Sequence, residues 1–385
     1  MQKQPDGSAA TELPALTPLR GVAALWVVLY HYTFQCLPTL NSAAYTHLVQ
    51  KGYLAVDMFF LLSGFVLTHV YHDAFDVADR RNYWKFISAR IARLYPLHLF
   101  VLLIFVATAI VFRLVEYAVA GRAEPLPIEG PQSLLALAAN LLMLQGLHAR
   151  ELSWNYPAWS ISVEFLAYLA FPFTLPAIWR ARPARQIALA LALFGALCLL
   201  AYLTRGNFNQ WDGPLTLLRC LPEFVLGTLL YSAFRRGACA QTLSSDAVAL
   251  SLLAGVLLLL HLGAPDIMVV AMFAVLILAL VCNAGYLARS LNVRPLIWLG
   301  TISYSLYLIH GLVQHLAPMF VQQGLGLPSS KELPVTGALA LAAGMVVISL
   351  ITGTITYHSV EVTGRRYLRR CLGMWRPIRA TKPAC

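Results

Sequence analysis

Residues 53–71 read YLAVDMFFLLSGFVLTHVY, an apolar run in which Asp57 is the one acidic residue and no lysine or arginine occurs. The 19 residues of this run would rise about 28 Å as an α-helix, close to the ~30 Å of hydrocarbon in a bilayer. Inside lipid, backbone N–H and C=O groups are satisfied only in a helix or a closed barrel. The stretch therefore predicts a helix that crosses a membrane.

The rest of the chain repeats this pattern. Of the 385 residues, 59% are hydrophobic and 12% are charged, whereas soluble domains carry about 25% charged residues. We therefore expect an all-α, polytopic integral membrane protein, with a polar N-terminus at 1–14, a membrane domain at 15–360 and a basic tail at 361–385. Ten further apolar runs lie at about 15–36, 96–118, 132–147, 159–179, 186–204, 214–234, 246–263, 266–287, 295–322 and 335–358.

The distribution of lysine and arginine predicts the orientation. With a cytoplasmic N-terminus and a fourth run, 132–147, that does not cross, 21 basic residues lie inside and five outside. With all eleven runs crossing, the count becomes 10 inside and 16 outside. Because basic residues concentrate on the cytoplasmic side, the first arrangement is favoured. We expect ten spans, both termini in the cytoplasm, and a re-entrant or interfacial segment at 132–147.

Composition also argues against several other classes. The basic residues behind the net charge of +11 lie in short clusters between apolar runs, a pattern typical of residues that orient a membrane protein. We therefore expect no nucleic-acid partner. The seven cysteines form no C-x-x-C pair and read as small buried hydrophobes. We find no metal-ligand spacing and expect no metal. A cleaved signal peptide is not expected, because no short apolar segment with a cleavage site follows the polar N-terminus.

Charged and polar residues inside the spans are the candidates for function, because they are costly at bilayer depth. Arg20 and His31 are eleven residues apart, so they lie on nearly the same helical face, about 16 Å apart. If the charge count is right, His31, Asp57 and Glu164 fall at similar depth in the outer third of the membrane. A histidine near carboxylates suits a general base, although a buried structural ion pair is an alternative.

Further candidates lie in the later spans. Arg219 and Glu223 are four residues apart and could pair on one helical face, either for function or to stabilise the helix. Tyr304, Tyr307 and His310 recur at intervals of three. The tyrosines are equally consistent with packing residues that have hydrated hydroxyls, and His310 with a buried core histidine.

Two polar segments outside the spans are also open to two interpretations. The cytoplasmic segment 80–93 interleaves five basic residues with Trp84 and Phe86. It could bind lipid headgroups, or Arg90 and Arg93 could converge on the phosphates of a nucleotide-like donor. The external segment 119–158 could contact a sugar or form an interfacial aromatic belt. Its candidate residues are His148, Arg150, Glu151, Trp154 and Tyr156.

From about Pro18 to about Glu361, these residues together resemble the acyltransferase-3 family of membrane O-acyltransferases. The first span has Arg20-Gly21 followed by His31, and the second reads VDMFFLLSGF from residue 56. The other segments that resemble the family are RIARLYP at 90–96, WSISVE at 159–164, RCLPEFVLG at 219–227 and SYSLYLIH at 303–310. The chain departs from the family at Phe165-Leu166, where many members carry a second acidic or polar pair.

The resemblance implies transfer of an acyl group, usually acetyl from acetyl-CoA, to hydroxyls of glycans or glycosylated molecules at a bacterial inner membrane. It implies His31 as the catalytic histidine and Arg20 as its required partner. In this reading Asp57 or Glu164 orients the imidazole, and the donor is bound by Arg90, Arg93 and Ser63. The residues expected to contact substrate are Trp159, Ser160, Arg219, Glu223, Tyr307 and His310.

Two other classes compete with an enzyme. A transporter of small anions or glycolipids would also need polar residues inside the membrane, but we find no internal repeat and no paired broken helices. A non-catalytic scaffold would leave His31, Asp57 and Glu164 at one depth without an explanation. The acceptor, the acyl chain length and the choice between direct attack and an acyl-histidine intermediate stay open.

Overall fold

The regular structure of the described residues is entirely helical. The computed structural model describes residues 13–72, 80–121, 126–148, 153–210, 213–237, 240–324, 326 and 329–373. The α-helices are α1 Leu16–Tyr30, α2 Ala55–Tyr71, α3 Arg80–Ala120, α4 Leu134–Leu141, α5 Gln145–His148, α6 Trp159–Trp179, α7 Pro183–Leu203, α8 Leu217–Arg235, α9 Ala240–Leu243, α10 Asp246–His261, α11 Asp266–Cys282, α12 Tyr286–Leu291, α13 Arg294–Thr301, α14 Ser303–Met319, α15 Val335–Thr356 and α16 Thr363–Cys371.

Six helices of the described chain are long and apolar enough to cross a membrane. The number becomes seven if α13 and α14, which meet at a bend of 65°, form one broken span. Two shorter apolar helices, α10 and α11, have 16 and 17 residues. The expectation of an all-helical membrane protein is confirmed, and the count of ten spans stays a prediction.

The fourth apolar run does not form a long helix. It contains α4, with eight residues, and α5, with four. Eight residues rise about 12 Å, less than half of the hydrocarbon thickness. The side chain of Ser133 accepts a hydrogen bond from the backbone of Ala136 and so caps the start of α4. This geometry agrees with a segment that does not cross the membrane.

At their contact, the backbones of helices α2 and α8 approach so closely that no side chain fits between them. A Cβ atom on Gly64 would lie 1.9 Å from the carbonyl oxygen of Phe224, and one on Gly227 would lie 2.1 Å from the carbonyl oxygen of Leu61. Each glycine thus admits the backbone of the other helix, as small residues do in membrane helix pairs. Gly64 and Gly227 therefore have a structural role in this helix contact.

Helices α1 and α14 pack against each other, which brings the ends of the two helices together. Helix α1 continues beyond Tyr30 as a π-helical turn, His31–Cys36. Such turns often occur at functional sites, because the extra residue changes the direction of the side chains that follow. Helix α15 also continues through a π-helical turn, Tyr357–Val362, into α16.

Candidate active site

A cavity of about 250 Å³ lies between α1, α2, α3, α6, α14 and α16. Its polar lining is rich in arginine and hydroxyl groups. Of the residues predicted from sequence, the lining includes Arg20, Arg90, Arg93, Ser63, Glu164, Ser160, Tyr304 and Tyr307. The structure therefore brings the basic stretch at the start of α3 together with the first-span arginine, as expected for a site that holds a phosphorylated ligand.

The arginines of the cavity have few protein partners. Arg20 and Arg93 make no hydrogen bond or ion pair within the described chain, and their like charges lie close enough to repel. Arg90 donates to the hydroxyl of Tyr71 at 3.4 Å and lies over the Tyr71 ring, 5.7 Å from its centre. Guanidinium groups without a carboxylate partner suit an incoming anion.

A hydrogen-bonded group of three side chains forms the middle of the cavity wall. The hydroxyls of Ser63 and Tyr168 both donate to Oε1 of Glu164, the latter at 2.5 Å. Glu164 also lies close enough to Arg20 to attract its charge. Glu164 is therefore part of the cavity wall, and its contacts are with a serine and a tyrosine instead of a histidine.

A second polar group separates the cavity from the end of α1. The hydroxyl of Tyr307 donates to the carbonyl oxygen of Pro157 at 3.0 Å and lies 2.7 Å from the hydroxyl of Ser160. The rings of Tyr307 and His310, one helical turn further along α14, are 5.6 Å apart. The hydroxyls of Tyr304 and Tyr307 are bonded to protein, since Tyr304 donates to the Leu94 carbonyl oxygen at 2.7 Å, so they are not simply hydrated.

Two histidines meet beyond this layer. The ring centres of His31 and His310 are 5.0 Å apart, and the ring of Tyr156 lies 4.9 Å from that of His31. His310 is fully buried, yet neither of its ring nitrogens makes a hydrogen bond of good geometry in the described chain. The hydroxyl of Tyr156 donates to Gln314 on α14. The ring lies near the backbone of Tyr307 and Leu306 on its own helix. Buried polar groups are normally well bonded, so the lack of a well-formed bond at His310 indicates a position where a ligand could bond to the ring.

The imidazole of His31 is oriented differently from what we expected. Its Nδ1 lies 2.9 Å from the backbone carbonyl oxygen of Val27, one turn earlier in α1. A carbonyl can only accept, so Nδ1 carries the proton and Nε2 presents its lone pair. Neither Asp57 nor Glu164 contacts this ring in the part of the chain described. In this structure a main-chain carbonyl, and neither of the two predicted carboxylates, orients the imidazole.

Asp57 is instead committed to a buried ion pair. Its two oxygens accept hydrogen bonds from Nε and Nη2 of Arg219, both at 2.5 Å, and its side chain is fully buried. The Arg219 guanidinium also lies over the ring of Trp159, 5.7 Å from its centre. Glu223 is fully buried and close enough to interact electrostatically with both members of the pair. The expected Arg219–Glu223 pairing is thus replaced by one between α8 and α2, and Trp159 packs here without lining the cavity.

Some residues of the site were not predicted from sequence. Tyr168 bonds to Glu164, and Arg365 and Arg369 line the cavity from α16. The i, i+4 spacing of Glu164 and Tyr168 could have predicted their contact. No sequence pattern indicated that α16 approaches the cavity. Of the external candidates, Tyr156 reaches His31, while Trp154 is buried and donates to the Ser133 carbonyl oxygen at 3.2 Å. Arg150 and Glu151 lie outside the described residues.

Comparison with known proteins gives consistent matches. A family model for the acyltransferase domain matches residues 14–354. Acyltransferase MdmB of Streptomyces mycarofaciens is 30% identical over 400 residues, covering 96% of this chain and 95% of its own length. O-acetyltransferase OatA of Staphylococcus aureus is 23% identical over 77% of this chain. Putative peptidoglycan O-acetyltransferase YrhL of Bacillus subtilis is 26% identical over 91% of it.

The matched lengths differ among these relatives. The chain spans 50% of OatA and 54% of YrhL but nearly all of MdmB. No solved structure matches the chain. Because the family model covers nearly the whole sequence and a relative of the same length is 30% identical, the chain belongs to the acyltransferase-3 family and is an acyltransferase.

Proposed function

We propose that this enzyme transfers an acyl group, most simply acetyl, from cytoplasmic acyl-CoA to a hydroxyl of a carbohydrate or glycosylated acceptor outside the cytoplasm. The observation that carries the proposal is the separation of two polar centres along α1. Arg20, near its start, lines a cavity with four further arginines, and His31, at its end, faces His310. Anion-binding groups and a base are what a transferase with a phosphorylated thioester donor requires.

The orientation rests on the predicted ten spans with both termini in the cytoplasm. All five arginines of the cavity belong to the set that the charge count assigns to the cytoplasm. The loops before α2 and α11, both assigned to the outside, meet where Lys51 pairs with Asp266 at 2.6 Å. These groupings support the assignment. The bacterial sources of the relatives favour a bacterial cell membrane, which is the inner membrane where a cell has two.

The donor would bind with its phosphates at the arginines and its acyl end toward the histidines. Arg90 and Arg93, three residues apart on α3, converge on the cavity together with Arg20. The pantetheine arm would then pass Ser63 and reach the layer formed by Ser160 and Tyr307. Entry of the thioester beyond this layer requires the 2.7 Å contact between those two hydroxyls to open.

The chemistry would take place at His31. The acceptor hydroxyl attacks the thioester carbonyl carbon while Nε2 of His31 takes its proton, because Nδ1 is occupied by Val27. The tetrahedral intermediate collapses, the C–S bond breaks, and the coenzyme A sulfur leaves with the proton returned by the imidazole. An acyl-histidine intermediate is a second route with the same products.

His310 would assist by hydrogen bonding. Its fully buried ring lies 5.0 Å from that of His31 and makes no well-formed hydrogen bond, so a ring nitrogen would be available to the acceptor hydroxyl or to the oxygen that becomes negative in the intermediate. A donor placed at that oxygen typically contributes 10²–10³ in kcat. Of the residues expected to contact substrate, Ser160, Tyr307 and His310 keep that role. Arg219 would instead support the fold through its ion pair with Asp57, together with Trp159, which packs against its guanidinium, and the buried Glu223.

The acceptor is proposed to be a sugar hydroxyl because one relative is described as a putative peptidoglycan O-acetyltransferase and another as an O-acetyltransferase. The ring of Tyr156 beside His31 offers an aromatic surface of the kind on which sugars stack. The hydrogen bond of its hydroxyl to Gln314 holds that ring in place.

The test uses purified protein in detergent with acetyl-CoA and a crude glycan extract, and follows the release of free thiol. We expect glycan-stimulated release, its loss in His31→Gln, and a higher KM for acetyl-CoA in Arg93→Gln. His261→Gln, at the exposed end of α10, is the control and should behave as wild type.

The outcomes test separately the proposed base, the proposed donor and the proposed donor-binding residue. Retention of substantial transfer by well-folded His31→Gln would remove the proposed base. Absence of both thiol release and donor binding in wild type would exclude acyl-CoA as the donor. An effect of Arg93→Gln on kcat alone would place that residue outside donor binding.

A further inference from the structure

Helix α16 places two arginines at the cavity that the charge count treated only as topology signals. Arg365 and Arg369 both line the cavity, and their spacing of four residues puts them on one face of the helix. Arg366, between them, is exposed and does not line it. The helix therefore presents one basic face to the cavity and another to solvent.

Close packing holds α16 against the helix that carries the other phosphate-binding candidates. A Cβ atom on Gly364 would lie 2.5 Å from Cβ of Pro96 on α3, so the two helices touch at this point. Just before α16, Glu361 accepts a hydrogen bond of 2.7 Å from Ser305 on α14. These two contacts fix the start of α16, and with it the position of Arg365.

The cavity has an excess of positive charge. Five arginines line it, and Glu164 is its one acidic residue. Arg365 lies close enough to Arg93 and Arg369 for their charges to repel, and Glu361 offsets this repulsion only by a weaker attraction. Neither Arg365 nor Arg369 has a hydrogen-bond or ion-pair partner in the described chain. Clustered like charges at the edge of a low-dielectric interior disfavour the empty state, and several anionic groups on one ligand would relieve the repulsion.

We infer that Arg365 and Arg369 form an outer phosphate site that binds the 3′-phosphate at the adenosine end of the donor. This site is distinct from that of Arg90 and Arg93. The inference rests on the proposed function. Arg369 is exposed, whereas Arg20 is partly buried within α1. A donor whose acyl end points toward Arg20 and beyond must therefore leave its nucleotide end at α16. The diphosphate, which lies between the adenosine and the pantetheine arm, would then bind Arg90 and Arg93 on α3.

Phosphate groups on membrane lipids share this chemistry, so the experiment must separate the two sources. The measurement is the Kd of coenzyme A and of dephospho-coenzyme A, which lacks the 3′-phosphate, by titration calorimetry. Wild type, Arg365→Gln/Arg369→Gln and the control Arg366→Gln are compared as full-length protein in nanodiscs. One nanodisc set contains only phosphatidylcholine, and a second includes anionic phosphatidylglycerol.

We expect the double variant to bind coenzyme A about tenfold more weakly, as for the loss of partly exposed charge-assisted contacts, and dephospho-coenzyme A with unchanged Kd. Arg366→Gln should match wild type for both ligands. Unchanged dephospho-coenzyme A binding also shows that the double variant is folded.

Four results would overturn the inference. An equal loss for both ligands would place the arginines at the diphosphate or indicate misfolding. Wild-type Kd values in the double variant, with an altered response to phosphatidylglycerol, would make α16 a lipid anchor. If wild type binds neither ligand, coenzyme A is not the donor, and both the proposed function and this phosphate site are rejected. If wild type binds coenzyme A and the double variant binds it equally well, only the outer phosphate site is rejected.

Discussion

Replacement of Asp57 by asparagine tests whether this residue supports the fold or takes part in chemistry. The Asp57 side chain is fully buried and accepts two hydrogen bonds of 2.5 Å from Arg219, whose side chain is 4% exposed. Breaking a buried pair by removing one partner costs about 3–5 kcal/mol, because the remaining charge stays buried without compensation. We therefore expect Asp57→Asn to lower stability strongly.

The neighbours of the Asp57–Arg219 ion pair determine how much stability Asp57→Asn loses within the range of about 3–5 kcal/mol. In Asp57→Asn, Arg219 keeps the Tyr53 carbonyl oxygen at 3.3 Å and the ring of Trp159. It also keeps the longer-range attraction of Glu223. We expect a loss of about 3 kcal/mol for Asp57→Asn, about 5 kcal/mol for Asp57→Asn/Glu223→Gln, and less than about 1 kcal/mol for Glu223→Gln, the matched control.

The assay is thermal unfolding of the purified variants in one detergent, followed by tryptophan fluorescence. At an unfolding entropy of about 2.1 cal/mol/K per residue over 385 residues, 3–5 kcal/mol corresponds to roughly 4–6 °C in Tm. Thiol release is then measured well below the Tm of each variant. A variant with wild-type Tm and a hundredfold lower kcat would refute the structural role and return Asp57 to the reaction.

Three further predictions concern other parts of the molecule. His310→Asn should lower kcat for transfer at least tenfold with little change in donor KM, since it removes the second imidazole from the histidine centre; an unchanged kcat would contradict its role. Gly64→Ala should destabilise by at least about 1–3 kcal/mol, because its Cβ would lie 1.9 Å from a carbonyl of α8. Gly195→Ala, which meets nothing within 4 Å, should be neutral or stabilising by thermal unfolding. Lys51→Met should cost less than Asp57→Asn, about 1–3 kcal/mol, because Asp266 keeps a tyrosine hydroxyl and a backbone N–H as donors; a larger loss of Tm than for Asp57→Asn would contradict this ranking.

Residues whose placement depends on one helix were predictable from sequence. The fixed rise and rotation of an α-helix are enough to separate Arg20 from His31 along α1, and the structure places Arg20 at the cavity and His31 beyond the Tyr307 layer. The three-residue spacing of Arg90 and Arg93 similarly predicts convergence on one ligand. Both arginines line the same space.

Residues whose partners come from another helix were predicted less well. Spacing could offer Arg219 only Glu223, on its own helix, but the glycine contact of α2 with α8 brings Asp57 within 2.5 Å. The approach of His310 to His31 likewise depends on how α14 packs on α1. Sequence periodicity describes each helix by itself, so these pairings were beyond its reach.

The uninterrupted helix Val335–Cys371 links the enzyme to the thickness of its host membrane. Its 37 residues rise about 56 Å, while the hydrocarbon layer is about 30 Å thick. In the proposed orientation, this excess would place Arg365 and Arg369 beyond the acyl chains. A thicker bilayer would draw more of the helix into hydrocarbon or reduce its tilt. The height of these arginines above the lipid, and with it donor capture, is therefore expected to vary with lipid chain length.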